Sequence, residues 1–129
     1  MAKRHGIDNT PNDMQLENLK TLAKGMELVR TKLDNLPIII SSGFRCEALN
    51  DLLKSKRTSA HIAGLACDFT CDRYSHVERV FDVIRESSIP FDQLILEYNS
   101  WIHIAFPVEG DEPRRQVLTI DKSGVKSIT

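Results

Sequence analysis

Four side chains, His61, Asp68, Glu97 and His103, combine the donor types and spacing that metal-assisted chemistry needs. Two imidazoles and one carboxylate are a common ligand set for zinc, and a catalytic zinc keeps a fourth position open. His61 and Asp68 are separated by six residues that include Gly64, and a glycine lets the chain reverse closely enough for both side chains to converge. His103 follows Trp101 at the strand period of two, so the pair shares a face, between the apolar neighbours Ile102 and Ile104. A lone histidine is more often a hydrogen-bonded core or surface residue. Spacing by itself leaves that reading and a zinc site equally open.

The elements that must position these residues follow from hydrophobic periodicity. Asn9-Thr10-Pro11 reads as a helix start. From there Leu16, Leu19, Leu22, Ala23, Met26, Val29 and Leu33 recur at three- and four-residue steps, the core stripe of an amphipathic helix that ends at Asn35-Leu36-Pro37. Ile38-Ile39-Ile40 is β-branched and too short for a helix, which predicts a buried strand leading into a loop over Ser41 to Arg45. A short helix is expected from about Glu47 to Ser55, then an exposed basic loop to Ser59.

Leu65 to Cys71 alternates as a strand, with Cys67, Phe69 and Cys71 on the core side and Asp68 on the other. Ser75 with Glu78 matches a capping box, opening a helix whose stripe is Val77, Val80, Phe81 and Ile84. Two strands, Gln93 to Tyr98 and Trp101 to Phe106, read as a hairpin, and Arg115 to Asp121 as a last strand. This order predicts an α+β domain: a small antiparallel sheet packed against helices, with the metal site on the sheet. A single domain over 1–129 is expected, with 1–12 and 122–129 loosely held.

Taken together, Ser42-Gly43-Phe44-Arg45, Ser59-Ala60-His61-Ile62-Ala63-Gly64-Leu65-Ala66-Cys67-Asp68 and Trp101-Ile102-His103 resemble the zinc peptidases of peptidoglycan. That family includes the D-alanyl-D-alanine carboxypeptidases and the L-alanyl-D-glutamate endopeptidases of phage lysins. Its pattern is S-G-[FY]-R, then S-x-H-x-x-G-x-A-x-D, then W-x-H, and all three pieces stand in order between Ser42 and His103. The resemblance implies one zinc ion held by His61, Asp68 and His103, a fold like that of the hedgehog signalling domain, and a peptidoglycan stem peptide as substrate.

Many members carry the catalytic carboxylate three residues before the last histidine. Ser100 stands there, and the nearest acid is Glu97, six residues ahead of His103, where the hedgehog branch also has a glutamate. A two-residue connection at Asn99-Ser100 would turn Glu97 away from His103. A three-residue connection over Tyr98 to Ser100, or a bulge, puts both on one face, and this is the expectation. Glu97 then takes a proton from water and returns it to the leaving amine; the competing reading is a solvated glutamate beside a turn.

The resemblance gives Arg45 a substrate carboxylate or the oxyanion, both suited to a planar guanidinium, with loop bracing as the alternative. Ser59 either binds substrate or caps its turn, and Asn50 braces the loop. Lys56-Arg57-Thr58 replaces the Gly-Gly pair frequent in the family, which changes the rim of the cleft. His5, His76 and Asp72 read as surface or structural residues.

Composition bounds the rest. With 129 residues, 41% hydrophobic and 27% charged, the chain suits one globular domain. Seventeen basic and eighteen acidic residues give a net charge of -1, which excludes a strongly basic nucleic-acid binder. No apolar run can span a membrane. Met1 to Asn12 has no apolar stretch of the signal-peptide kind, so cytosolic synthesis is expected, with access to the wall after holin-type release or as a phage particle component. Cys46, Cys67 and Cys71 read as small buried thiols. The expected protein is a monomeric zinc metallopeptidase, foremost a phage-type L-alanyl-D-glutamate endopeptidase. The alternatives are a D-Ala-D-Ala carboxypeptidase and a zinc-binding module without turnover.

Overall fold

The computed structural model describes residues 12–42 and 64–128. Arg45, Ser59, His61, Cys46 and the short helix expected near 47–55 lie outside the described residues.

Helix α1 (Asp13–Lys32) begins at Asn12, not at Asn9-Thr10-Pro11. The Asn12 backbone is extended, the Gln15 N–H donates to Asn12 Oδ1 at 2.8 Å, and the Asn12 N–H donates to Gln15 Oε1 at 2.9 Å. These reciprocal bonds satisfy two orphan donors and fix where helical geometry starts. The buried stripe runs through Asn18, Leu22, Gly25, Met26, Val29 and Leu33. Leu16 and Ala23, expected in the stripe, face solvent. Gly25 takes their place because Phe106 packs against it, and a Cβ there would overlap the ring.

Among the described residues six strands form one sheet: β1 (Ile39–Ser42), β2 (Ala66–Thr70), β3 (Gln93–Glu97), β4 (Trp101–Ala105), β5 (Gln116–Asp121) and β6 (Gly124–Ser127). Their order is β1-β2-β4-β3-β5-β6. The sheet is mixed rather than wholly antiparallel, because β5 runs parallel to β3 from Gln93↔Gln116 to Glu97↔Ile120. The start of β5 is tied to the start of β3 by the Gln116 N–H to Asp92 O bond (3.0 Å) and by Arg114 on the Asp92 carboxylate. A strand pinned there can only run alongside β3 in the same direction.

Two further expectations change at the sheet's edges. Ile39 is 57% exposed and Ile40 is exposed too, because among the described residues β1 pairs only with β2 and its register slips between Ile40 and Ser42. Of the isoleucine run only Ile38 packs on the core, and Ser41 and Ser42 belong to the strand rather than to a loop. At the other edge, where a loosely held terminus was expected, Gly124–Ser127 pairs with β5 as a fully exposed strand.

Helix α2 (Val77–Arg85) has His76 as its cap residue, with no side-chain cap bond. The Ser75–Glu78 box therefore does not form, since the helix starts one residue late for it. Helices α1 and α2 cover the face of the sheet that carries Cys67, Phe69, Leu94, Leu96, Ile102 and Ile104. Phe69, Leu94, Ile102 and Ile104 are fully buried. A one-residue register slip would expose them, at about 1.5–3 kcal/mol each, so the core also locks which residues point to the opposite face.

Cys67 and Cys71 are buried free thiols, as expected. Burial pushes the Cys67 thiol up to about 12, with Asp68 adding to the effect, and its sulfur lies 3.6 Å from Met26 Sδ. Cys71 donates to Pro37 O at 3.2 Å. No helix among the described residues is long and apolar enough to cross a membrane.

Candidate metal and catalytic site

The face turned away from α1 and α2 carries Asp68, His103 and Glu97. Asp68 on β2 is paired with His103 on β4, which is also paired with Ile95 on β3, and Glu97 is paired with Trp101. Because paired residues share a face and side chains alternate, Asp68, Thr70, His103, Trp101, Ile95 and Glu97 lie on one side of the sheet.

The position of Glu97 depends on the hairpin. Pairing of Glu97 with Trp101 leaves three residues, Tyr98 to Ser100, in the connection, so the three-residue expectation holds. Tyr98 and Asn99 have φ of 54° and 51°, and the Ser100 N–H donates to Glu97 O at 3.0 Å. The Tyr98 N–H donates to Ile120 O at 2.7 Å, which ties the turn to β5. Ser100 donates its hydroxyl to Tyr98 O at 2.9 Å and so braces the turn.

Asp68 Oδ1 and His103 Nδ1 are 3.0 Å apart, with the side chains 18% and 12% exposed. Two ligands of one tetrahedral zinc, each about 2.1 Å from it, lie about 3.4 Å apart. The observed pair is within a few tenths of an ångström of that separation, and one carboxylate with one imidazole is the right donor chemistry. The two residues fit a zinc site. Among the described residues no group of three histidine, cysteine or acidic side chains is close enough to hold a metal, and the third expected ligand, His61, falls outside them.

Supporting residues surround the pair. The Ser41 hydroxyl donates to Asp68 O at 3.3 Å. Gly64, with φ of 80°, lies against α1: a Cβ there would sit 2.9 Å from Gln15 O and 3.2 Å from Leu19 Cγ. The glycine between His61 and Asp68 thus packs the entry to β2 directly onto helix backbone. Tyr98 and Trp101 form a tilted ring pair with centroids 5.7 Å apart, and Trp101 Nε1 is buried with no hydrogen-bond partner among the described residues. The sequence marked Trp101 through its motif but gave no sign of this aromatic pair.

The sheet thus carries a carboxylate–imidazole donor pair, with a second carboxylate further along the same face. The chain belongs to the Peptidase M15 family, whose model matches residues 1–105. By family it is a metallopeptidase, one of a group of zinc enzymes. No curated protein matches it. The β5–β6 hairpin lies beyond the matched residues.

Proposed function

We propose that this chain is a zinc peptidase of peptidoglycan stem peptides that cuts between L-alanine and D-glutamate, as phage lysins do. The observation that carries the proposal is the shared face of Asp68, His103 and Glu97, with the first two 3.0 Å apart. His61, Asp68 and His103 would hold the zinc. When bound, zinc supplies Lewis acidity, which lowers the pKa of water and polarises a scissile carbonyl. Glu97 accepts the proton of the attacking water on its carboxylate and delivers it to the nitrogen of the leaving amine. Arg45 pairs with a substrate carboxylate through its planar guanidinium, and Ser59 contributes a hydrogen bond to the bound peptide. On this reading the protein works as a monomer at the cell wall, reached by holin-type release or as part of a phage particle.

The test is mass spectrometry of purified peptidoglycan fragments incubated with the zinc-loaded protein and with Glu97→Gln. New L-alanine and D-glutamate termini, absent with Glu97→Gln although its zinc content is unchanged, are the expected result. Loss of terminal D-alanine alone would reassign the enzyme as a carboxypeptidase. Zinc-loaded protein that leaves the fragments intact would make it a binding module.

A further inference from the structure

Glu97 is the last residue of β3, and the two residues after it, Tyr98 and Asn99, have φ of 54° and 51°. Left-handed backbone is disfavoured for a residue with a side chain, most of all a bulky one such as Tyr98, and it persists where the surroundings hold it. Strand β5 supplies such a hold, since the Tyr98 N–H donates to Ile120 O at 2.7 Å. The same strand reaches Glu97 itself. Parallel pairing sets Ile120 beside Glu97, and antiparallel pairing sets Trp101 on its other side. Trp101, Glu97 and Ile120 therefore form a row across the functional face, and all three are half-buried. Neighbouring strands are about 4.8 Å apart, close enough for the flanking side chains to limit where the Glu97 carboxylate swings. On its outer side Ile120 is paired with Val125 of β6, which backs it. Neither β5 nor β6 belongs to the residues that the family model matches.

We propose that Ile120 is a positioning residue for Glu97: its carbonyl fixes the turn that follows Glu97, and its side chain closes the flank opposite Trp101. The inference rests on the peptidase reading above and adds to it the element that orients the proton carrier. A carboxylate that moves a proton from water to a leaving amine must stand within hydrogen-bond reach of both. Displacement of such a group by about 1 Å costs up to about 100-fold in rate. The χ1 torsion of a glutamate has three staggered wells. With Trp101 and Ile120 on either side, Glu97 keeps to one of them. With the Ile120 side chain cut back it spreads over all of them, and the share in the productive well falls about two- to threefold. Ile120 has no side-chain group that can bind zinc or move a proton, so its effect passes through Glu97.

The experiment compares the zinc-loaded full chain with Ile120→Ala and Ile120→Val by two readouts. The first is the set of χ1-dependent three-bond couplings of Glu97 by NMR, which need no turnover. A single rotamer in the wild type and in Ile120→Val, and an averaged one in Ile120→Ala, is the expected result. The second is steady-state cleavage of a soluble peptidoglycan stem-peptide fragment, counted per folded, zinc-loaded molecule. Ile120→Ala lowers kcat about two- to threefold at unchanged KM, and Ile120→Val, which keeps a branched Cβ, restores it. A residue that only stabilised the fold would move the urea midpoint and leave both readouts as they were. A single rotamer in Ile120→Ala, or an unchanged kcat in that variant, overturns the proposal and leaves the peptidase reading standing. An averaged Glu97 in the wild type overturns it without any variant. If the wild type leaves the fragment intact, the peptidase reading fails, and the couplings alone decide whether Ile120 fixes Glu97.

Discussion

Asp68 and His103 stand directly opposite each other on β2 and β4, with Oδ1 and Nδ1 3.0 Å apart on the face opposite α1 and α2. A hydrogen-bonded pair and a pair of metal ligands make different demands on Asp68. A hydrogen bond needs only an acceptor oxygen, which asparagine keeps; a metal ligand needs the carboxylate charge.

Asp68→Asn and His103→Ala should therefore each lower zinc affinity by more than about 100-fold, beyond what loss of a residue that merely orients a ligand causes. Metal content by mass spectrometry and competition with a chromophoric chelator check this. Full zinc retention by Asp68→Asn would reduce Asp68 to orienting the imidazole.

Gly64→Ala tests whether the glycine between His61 and Asp68 serves the fold. Its φ of 80° costs an alanine about 1–2 kcal/mol, and the added Cβ would stand 2.9 Å from the Gln15 carbonyl oxygen. That oxygen belongs to helix backbone and cannot swing aside as a side chain can. A loss of about 2–4 kcal/mol is expected, read as a lower urea midpoint with an unchanged slope. A loss below 1 kcal/mol would show that α1 shifts freely.

Much of this arrangement was legible in the residues. Alternation from Cys67 to Cys71 gave Asp68 its face, and the parity of the hairpin tied a catalytic Glu97 to a three-residue connection, which is what forms. What escaped depends on contacts distant in sequence. Gly25 carries no signal of its own, yet it replaces Ala23 in the stripe because Phe106 needs the space. The exposure of Ile39 and Ile40 follows from β1 lying at an edge, which three consecutive isoleucines cannot announce. The parallel β3–β5 pair is set by Arg114 and Asp92, 22 residues apart, and no local pattern reports that meeting.

That ion pair gives a pH prediction. Arg114 holds the Asp92 carboxyl below its usual range, mainly through side-chain hydrogen bonds of 2.8–3.0 Å. A lowered folded-state pKa adds stability above the unfolded value of about 3.9 and loses it as pH falls through the folded value. Arg114 is 63% exposed, so the contribution stays under about 1 kcal/mol. The difference in melting temperature between wild type and Asp92→Asn should be constant from pH 5 to pH 7, as roughly expected of a carboxylate fully ionised there, and should shrink towards pH 2. A difference that grows on acidification would contradict the assignment.

Arg115 should matter more for stability than its neighbour. Its guanidinium donates to Arg85 O at 3.1 Å, to Ser87 O at 3.0 Å and to Ile89 O, and stacks 4.2 Å from the Phe91 ring centroid. It thus gathers the carbonyls at the end of α2 and in the following loop, next to the point where β5 joins β3. Arg115→Met keeps the stem but strands these acceptors, and a loss of about 2–4 kcal/mol is expected in urea unfolding. Arg115→Lys should recover less than half, because an ammonium lacks the planar fork that reaches three carbonyls and stacks on a ring. Glu97 is at the far end of β3 from this cluster, since Gln93 and not Glu97 pairs with Gln116. Well below the melting point, kcat/KM should therefore be the same in both variants and the wild type, and a change there would mean that the α2 terminus is coupled to the functional face.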